Sequence, residues 1–130
     1  SILGRVIAKE LSEKEIPFVI ISDDLRHVLL GRKLGYMAYF GHLDKLPVLE
    51  SLKVDEASSV IITVSDNHKK RLICEAVLNF HKEANILLKI ESLDEKAQLK
   101  DLDIKKFVHA HFEVGRLLVE EAVTVLDKSK

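Results

Sequence analysis

At 130 residues, with 47% hydrophobic and 32% charged side chains, the chain is long enough for one domain with a buried core, and it has the composition of an ordinary soluble globular protein. A formal net charge of −1 gives no electrostatic case for nucleic acid, which demands a basic surface to displace counterions. Cys74 is the only cysteine, which excludes an intrachain disulfide or a zinc-cysteine cluster and fits a reducing compartment. No apolar run approaches the roughly 20 residues of a membrane span and no signal peptide is visible, so the chain is expected to be soluble.

The first segment, 2–15, is helical by pattern, with Ile2, Leu3, Val6, Ile7 and Leu11 at helix spacing and no proline before Pro17. Phe18-Val19-Ile20-Ile21 then predicts a strand, 25–34 a helix stopped by Gly35, and 37–40 a second strand. Pro47 suits the first turn of a short helix ending near Leu52. A third strand is expected over 59–64, a long helix over 67–81, a fourth strand over 86–90 and a helix over 94–102. A short strand at 107–110 and a terminal helix over 113–126 complete the pattern. Lys69-Lys70-Arg71 reads as a solvated face at the start of the long helix.

Runs rich in Val and Ile suit strands buried on both faces, and their alternation with helices calls for a parallel sheet. The fold class is therefore α/β: a Rossmann-like, doubly wound parallel sheet with helices on both faces. Ligands of such sheets bind in the crevice at the carboxyl ends of the strands. That edge gathers Ser22, Asp23 and Asp24 after the first strand, Gly41, His42 and Leu43 after the second, and Thr63, Val64, Ser65, Asp66 and Asn67 after the third. Lys89 ends the fourth strand, placed to meet a phosphate or a carboxylate such as Asp66. Ser1, Ile2, Leu3 and Gly4 open the first helix, whose free N–H groups favour an anion. Helix capping is the competing role for Asp23 or Asp24 and for Asp66 or Asn67. The histidines form no metal cluster by spacing, and Cys74, among Leu72, Ile73 and Val77, reads as an inert buried thiol.

In their order and spacing these segments resemble the TrkA-N or RCK domains, cytoplasmic regulators of potassium channels and of Trk-, Ktr- and Kef-type transport systems. Ser1 and Gly4 stand where the second and third glycines of a G-x-G-x-x-G turn belong, and Tyr39-Phe40-Gly41-His42 stands at the Y-G-D step. The stretches 61–67 and 107–122 are similar to the fourth strand and to the last strand with its crossover helix. The resemblance implies one lobe over 1–130 that starts inside the glycine turn, with the central strand outside the chain. The expected sheet order is then 37–41, 17–22, a gap or foreign strand, 59–64, 86–90 and 107–110.

It also implies a non-enzymatic, ligand-sensing regulator, cytoplasmic and tethered to or assembled on the inner membrane. Its partner would be a membrane-embedded potassium channel or transporter, and its ligand NAD(H), an adenine nucleotide (AMP, ADP or ATP), or none. Ser22 stands where the family's ribose-binding acid belongs, His42 replaces the aspartate of Y-G-D, and Ser1 replaces a glycine. Weak or absent dinucleotide binding is expected, with an adenine mononucleotide as the preferred occupant. Lys89 argues against the calcium sites of calcium-gated members, since calcium takes six or more oxygens. An NAD-dependent oxidoreductase fragment is the alternative, and Ile21-Ser22-Asp23-Asp24 also resembles the paired acids of a phosphorylation receiver. The apolar surface of the terminal helix predicts a homodimer or higher homo-oligomer through 112–126, with burial inside its own lobe as the competing outcome.

Overall fold

The computed structural model of the protein describes residues 2–33, 35, 37–41 and 46–128. Five strands, β1 (Phe18–Ser22), β2 (Ala38–Phe40), β3 (Ser59–Ile62), β4 (Ile86–Ile90) and β5 (Lys106–His109), form one sheet in which every pairing is parallel. Among the described residues six α-helices accompany them: α1 (Ile2–Glu13), α2 (Leu25–Lys33), α3 (Leu46–Ser51), α4 (Asn67–Phe80), α5 (Leu93–Gln98) and α6 (Ala110–Lys128). Gly35 holds φ at 83°, the left-handed conformation that ends a helix such as α2. Val54–Glu56 forms a 3-10 turn that the apolar pattern did not signal. β3 stops at Ile62 and α5 at Gln98, short of the expected 64 and 102.

The sheet order is β2-β1-β3-β4-β5, which corrects the expected gap between the strands at 17–22 and 59–64. Phe18, Val19, Ile20 and Ile21 pair directly with Ser59, Val60, Ile61 and Ile62. Two apolar strands left apart would each hold a row of unpaired N–H and C=O groups away from water, and direct pairing satisfies both rows.

The register gives the sheet two unequal faces. Val19, Ile21, Val60, Ile62, Ile86, Leu88 and Ile90 are buried beneath Ile73, Cys74 and Val77 of α4, with Leu49 of α3 and Leu99 just after α5. On the other face Phe18 and Ile20 meet Ile7 and Leu11 of α1, with Ile61 beside them. Leu87 and Val108 continue that second face and are only half-buried. α6 has no buried residue along its 19 positions, so burial within its own lobe is not what happens.

Candidate functional site

In a parallel sheet every strand delivers its carboxyl end to one edge, and the turns there have to satisfy backbone groups that the ladder no longer serves. β1 runs into Ser22, which is buried, and its Oγ accepts a hydrogen bond from the Asp24 N–H at 3.0 Å. Asp24 caps α2: its Oδ1 accepts from the Arg26 N–H at 2.9 Å, and the Arg26 guanidinium lies against both carboxylate oxygens at 3.4 Å. That guanidinium first, and the Arg26 N–H after the opposing effect of desolvation, hold the Asp24 carboxyl down at about 2. A depressed carboxyl favours folding at pH above its unfolded value, and the benefit is lost only as pH falls through the lowered one.

Asp23 faces the other way. Its Oδ2 accepts from the Ser65 N–H at 3.3 Å, which ties the end of β1 to the loop after β3. Thr63 is buried at the same junction, and its N–H donates to the Ile21 carbonyl at 3.0 Å. Val64 is buried in the core, while Ser65, Asp66 and Asn67 are exposed. Asp66 caps α4, accepting from the Lys69 N–H at 2.9 Å, and that N–H holds its carboxyl below the usual range. Both capping expectations therefore hold, for Asp24 and for Asp66. Gly41, at the end of β2, has φ at 110°, a backbone that a side-chain-bearing residue enters only with strain.

The structure thus gathers Ser22, Asp23, Asp24, Thr63, Ser65, Asp66 and Asn67 at one edge, with Gly41 on the flank where Ser22 pairs with Phe40. α1, whose first turn holds Ile2, Leu3 and Gly4, packs on β1 through Ile7 and Leu11. Ser1, His42 and Leu43 lie outside the described residues. Lys89 does not reach for Asp66; its Nζ pairs with Glu91 Oε1 at 3.0 Å. Two residues apart on and just beyond one strand, Lys89 and Glu91 share a face of the sheet, which makes Glu91 the nearer partner.

Sequence reasoning missed a buried ion pair. Lys70 is fully buried and its Nζ donates to Glu95 Oε1 at 2.6 Å, which corrects its reading as part of a solvated face. Glu95 Oε2 accepts from the N–H groups of Glu91 and Ser92, the latter at 2.9 Å. Burial alone would push the Glu95 carboxyl up; the Lys70 ammonium and these two N–H groups outweigh it and hold the carboxyl below its usual range. The signal was present, because Lys70 shares the helix face of Ile73, Cys74 and Val77, and Ser92-Leu93-Asp94-Glu95 has capping-box spacing. The adjacent Arg71 pins the far end of α5, donating to the Gln98 carbonyl at 3.2 Å and to Asp101 Oδ1 at 3.1 Å.

Cys74 has no exposed surface, and burial pushes its thiol up to about 12. It should resist a disulfide reagent in the folded protein and react only on denaturation. Full modification within minutes under native conditions would contradict that placement. Among the described residues there is no grouping of three or more His, Cys, Asp or Glu side chains fit for a metal ion, and no helix is long and apolar enough to cross a membrane.

Known proteins share the fold of this chain. The TrkA-N domain profile matches residues 1–110, ending where α6 begins. The glutathione-regulated potassium-efflux system protein KefC of Cronobacter sakazakii is 23% identical over 122 residues, covering 91% of this chain and 20% of its own length. The chain thus spans about a fifth of that curated relative. Among solved structures, the TrkA-N domain of the inner membrane protein YbaL from Escherichia coli superposes with a TM-score of 0.74 at 20% identity, over 90% of this chain and 87% of that one. The NAD(P)-binding domain of an exopolyphosphatase-related protein from Archaeoglobus fulgidus gives 0.77 at 16%, over 95% and 92%. The AMP-bound Kef C-terminal domain of Shewanella denitrificans gives 0.61 at 21%, over 84% and 80%. At these identities the superpositions show the fold, a Rossmann-like parallel sheet.

Proposed function

The chain belongs to the TrkA-N domain family, and from that premise we propose that it is a non-enzymatic regulatory lobe of a potassium transport system. In this reading it lies on the cytoplasmic side of a membrane-embedded channel or transporter, and an adenine nucleotide at the strand-end crevice biases how paired lobes are arranged. A ligand shifts such an equilibrium only by the difference in its affinity for the two states. The crevice joins the ends of β1 and β3, and α6 is the element free to report its state.

The observation that carries the ligand reading is the state of Ser22, Asp23 and Asp24 at the end of β1. The Ser22 hydroxyl is buried and held by the Asp24 N–H, and the Asp24 carboxylate is held by α2 and Arg26. Asp23 is left as the exposed carboxylate on the crevice, with a single long hydrogen bond to a backbone N–H. A ribose diol can replace the Ser65 N–H as the partner of Asp23, donating two hydroxyl hydrogen bonds to one carboxylate. That serves one nucleoside; among the described residues nothing comparable is arranged for a second, which favours a mononucleotide over a dinucleotide. The AMP-bound Kef C-terminal domain is a fold neighbour with that ligand.

Thermal-shift screening with AMP, ADP, ATP, NAD, NADH and NADPH, followed by calorimetry on any that bind, tests the reading. The expected result is a rise in Tm with an adenine mononucleotide that exceeds the rise with NADH, and an affinity at least about tenfold weaker in Asp23→Ala, the loss of one charge-assisted hydrogen-bonded contact. Tight NADH binding, undiminished when Asp23→Ala and Asp24→Ala are combined, overturns it.

A further inference from the structure

β5 passes into α6 with no intervening residue: His109 ends the strand and Ala110 opens the helix. The first N–H groups of a helix have no partner inside it, and at this junction one is met by an imidazole. His109 Nδ1 accepts from the Phe112 N–H at 3.1 Å, the reach of an N-cap to the third helical residue. A ring nitrogen accepts only when it carries no proton. We infer that His109 is a proton-releasable cap: neutral, it holds the first turn of α6 onto the end of β5; protonated at Nδ1, it lets that turn go.

The step is a simple proton balance. A proton from solvent takes the Nδ1 lone pair, the nitrogen becomes a donor, and the Phe112 N–H is left to water. The imidazolium then sits at the positive end of the α6 dipole, which adds a second reason for the turn to open. The surroundings bear on the proton from each side. On β4 the register sets apolar Ile90 beside His109, and Lys89, one residue back and on the other face, is paired at 3.0 Å with Glu91 just beyond the strand. On α6, the His111 ring centroid lies 6.1 Å from that of His109, and His111 Nε2 lies 3.8 Å from Glu91 Oε2, so protonation of His111 competes for the same carboxylate. Glu113 is bound to Arg116 at 2.9 Å. On α5, Lys96 lies over the Phe107 ring of β5 at 5.9 Å.

Opening the first turn would add two or three residues of free chain to a junction that has none, and so let α6 change direction relative to the sheet. That consequence for signalling rests on the proposed function; the cap itself does not.

Hydrogen exchange at the Phe112 amide, expressed as a protection factor so that the intrinsic pH dependence of exchange is removed, tests the cap alongside 15N shifts of the His109 ring. Protection is expected to fall about fivefold between pH 8 and pH 5, the equivalent of one lost cap, in step with protonation of His109. In His109→Asn, whose amide oxygen caps at every pH, protection should stay high throughout; in His109→Ala it should be low throughout; His111→Gln should keep the pH dependence. Unchanged Phe112 protection while His109 titrates overturns the inference. So does a His109 ring that stays neutral down to pH 5, or a pH dependence that survives in His109→Asn.

Discussion

Lys70→Met is expected to cost about 3–5 kcal/mol of folding stability, the largest loss from any single substitution at the strand-end edge. The Lys70 side chain has no solvent exposure and that of Glu95 has 5%, so removing the ammonium strands a carboxylate in the interior rather than returning it to water. Glu95 also accepts the N–H groups of Glu91 and Ser92, so its displacement unpins the turn between β4 and α5. Urea denaturation measures the cost, and a midpoint within error of the parent would show that the pair is not buried as described. The double variant Lys70→Met, Glu95→Gln should recover part of the loss, because the glutamine carbonyl still accepts from the turn and no buried charge remains. The pH dependence has a defined sign. The folded pKa of Glu95 lies below its unfolded value near 4.5, so its stabilisation is complete above that pH and is lost as pH falls through the lowered value. Without Lys70 the folded value rises toward or past the unfolded one, so this acid loss should shrink or reverse.

Most elements of the fold were legible because their causes are local. β1, β3 and β4 are short apolar runs bounded by turn residues, α4 carries Ile73, Cys74 and Val77 at helix spacing, and Gly35 stands where a left-handed residue ends α2. The sheet order was less accessible, because strand pairing is a long-range choice. Nothing within 18–22 or 59–62 says whether those strands adjoin each other or flank a third. The expectation of a gap came from resemblance, and the demand that backbone groups be paired decided otherwise. The Val54–Glu56 turn, entered through Lys53 at φ 54°, is set by tertiary packing around the fully buried Val54.

The site divides in the same way. Asp24 and Asp66 were readable as caps because a cap is a contact over two or three residues. The Asp23 to Ser65 link spans 42 positions, and the Lys70 to Glu95 pair spans 25, so each needed the sheet to bring its partners together. Lys70 shows how charge patterning misleads. Lys69, Lys70 and Arg71 look alike in sequence, yet on a helix they point roughly 100° apart: one half-exposed, one into the core, one toward α5.

Leu118→Glu is expected to convert the protein from a dimer into a monomer at concentrations where the parent is associated, raising the dissociation constant at least about 100-fold. α6 offers Phe112, Leu118 and Val119 at 64–65% exposure, and Val114, Leu117, Val123, Val125 and Leu126 are also largely exposed. So large a contiguous apolar surface is rarely left to water on a lone soluble lobe. The helix cannot cover it on its own sheet without reversing direction, and connections between strands and helices that do so commonly take 2–6 residues. Here β5 meets α6 with none. The half-covered face over Ile61, Leu87 and Val108 is a matching surface in need of a lid, and a second copy of the chain would supply what each lacks. Twofold exchange would place Leu118 against apolar side chains, where a carboxylate loses its hydration with no cation arranged to receive it. Leu29→Glu, another exposed position, on α2 toward the other end of the sheet, should leave the assembly unchanged. Sedimentation velocity across a concentration series reads both variants. A parent that stays monomeric at high concentration, with Leu118→Glu no different from it, would remove the dimer and with it the proposed route from the crevice to a transporter.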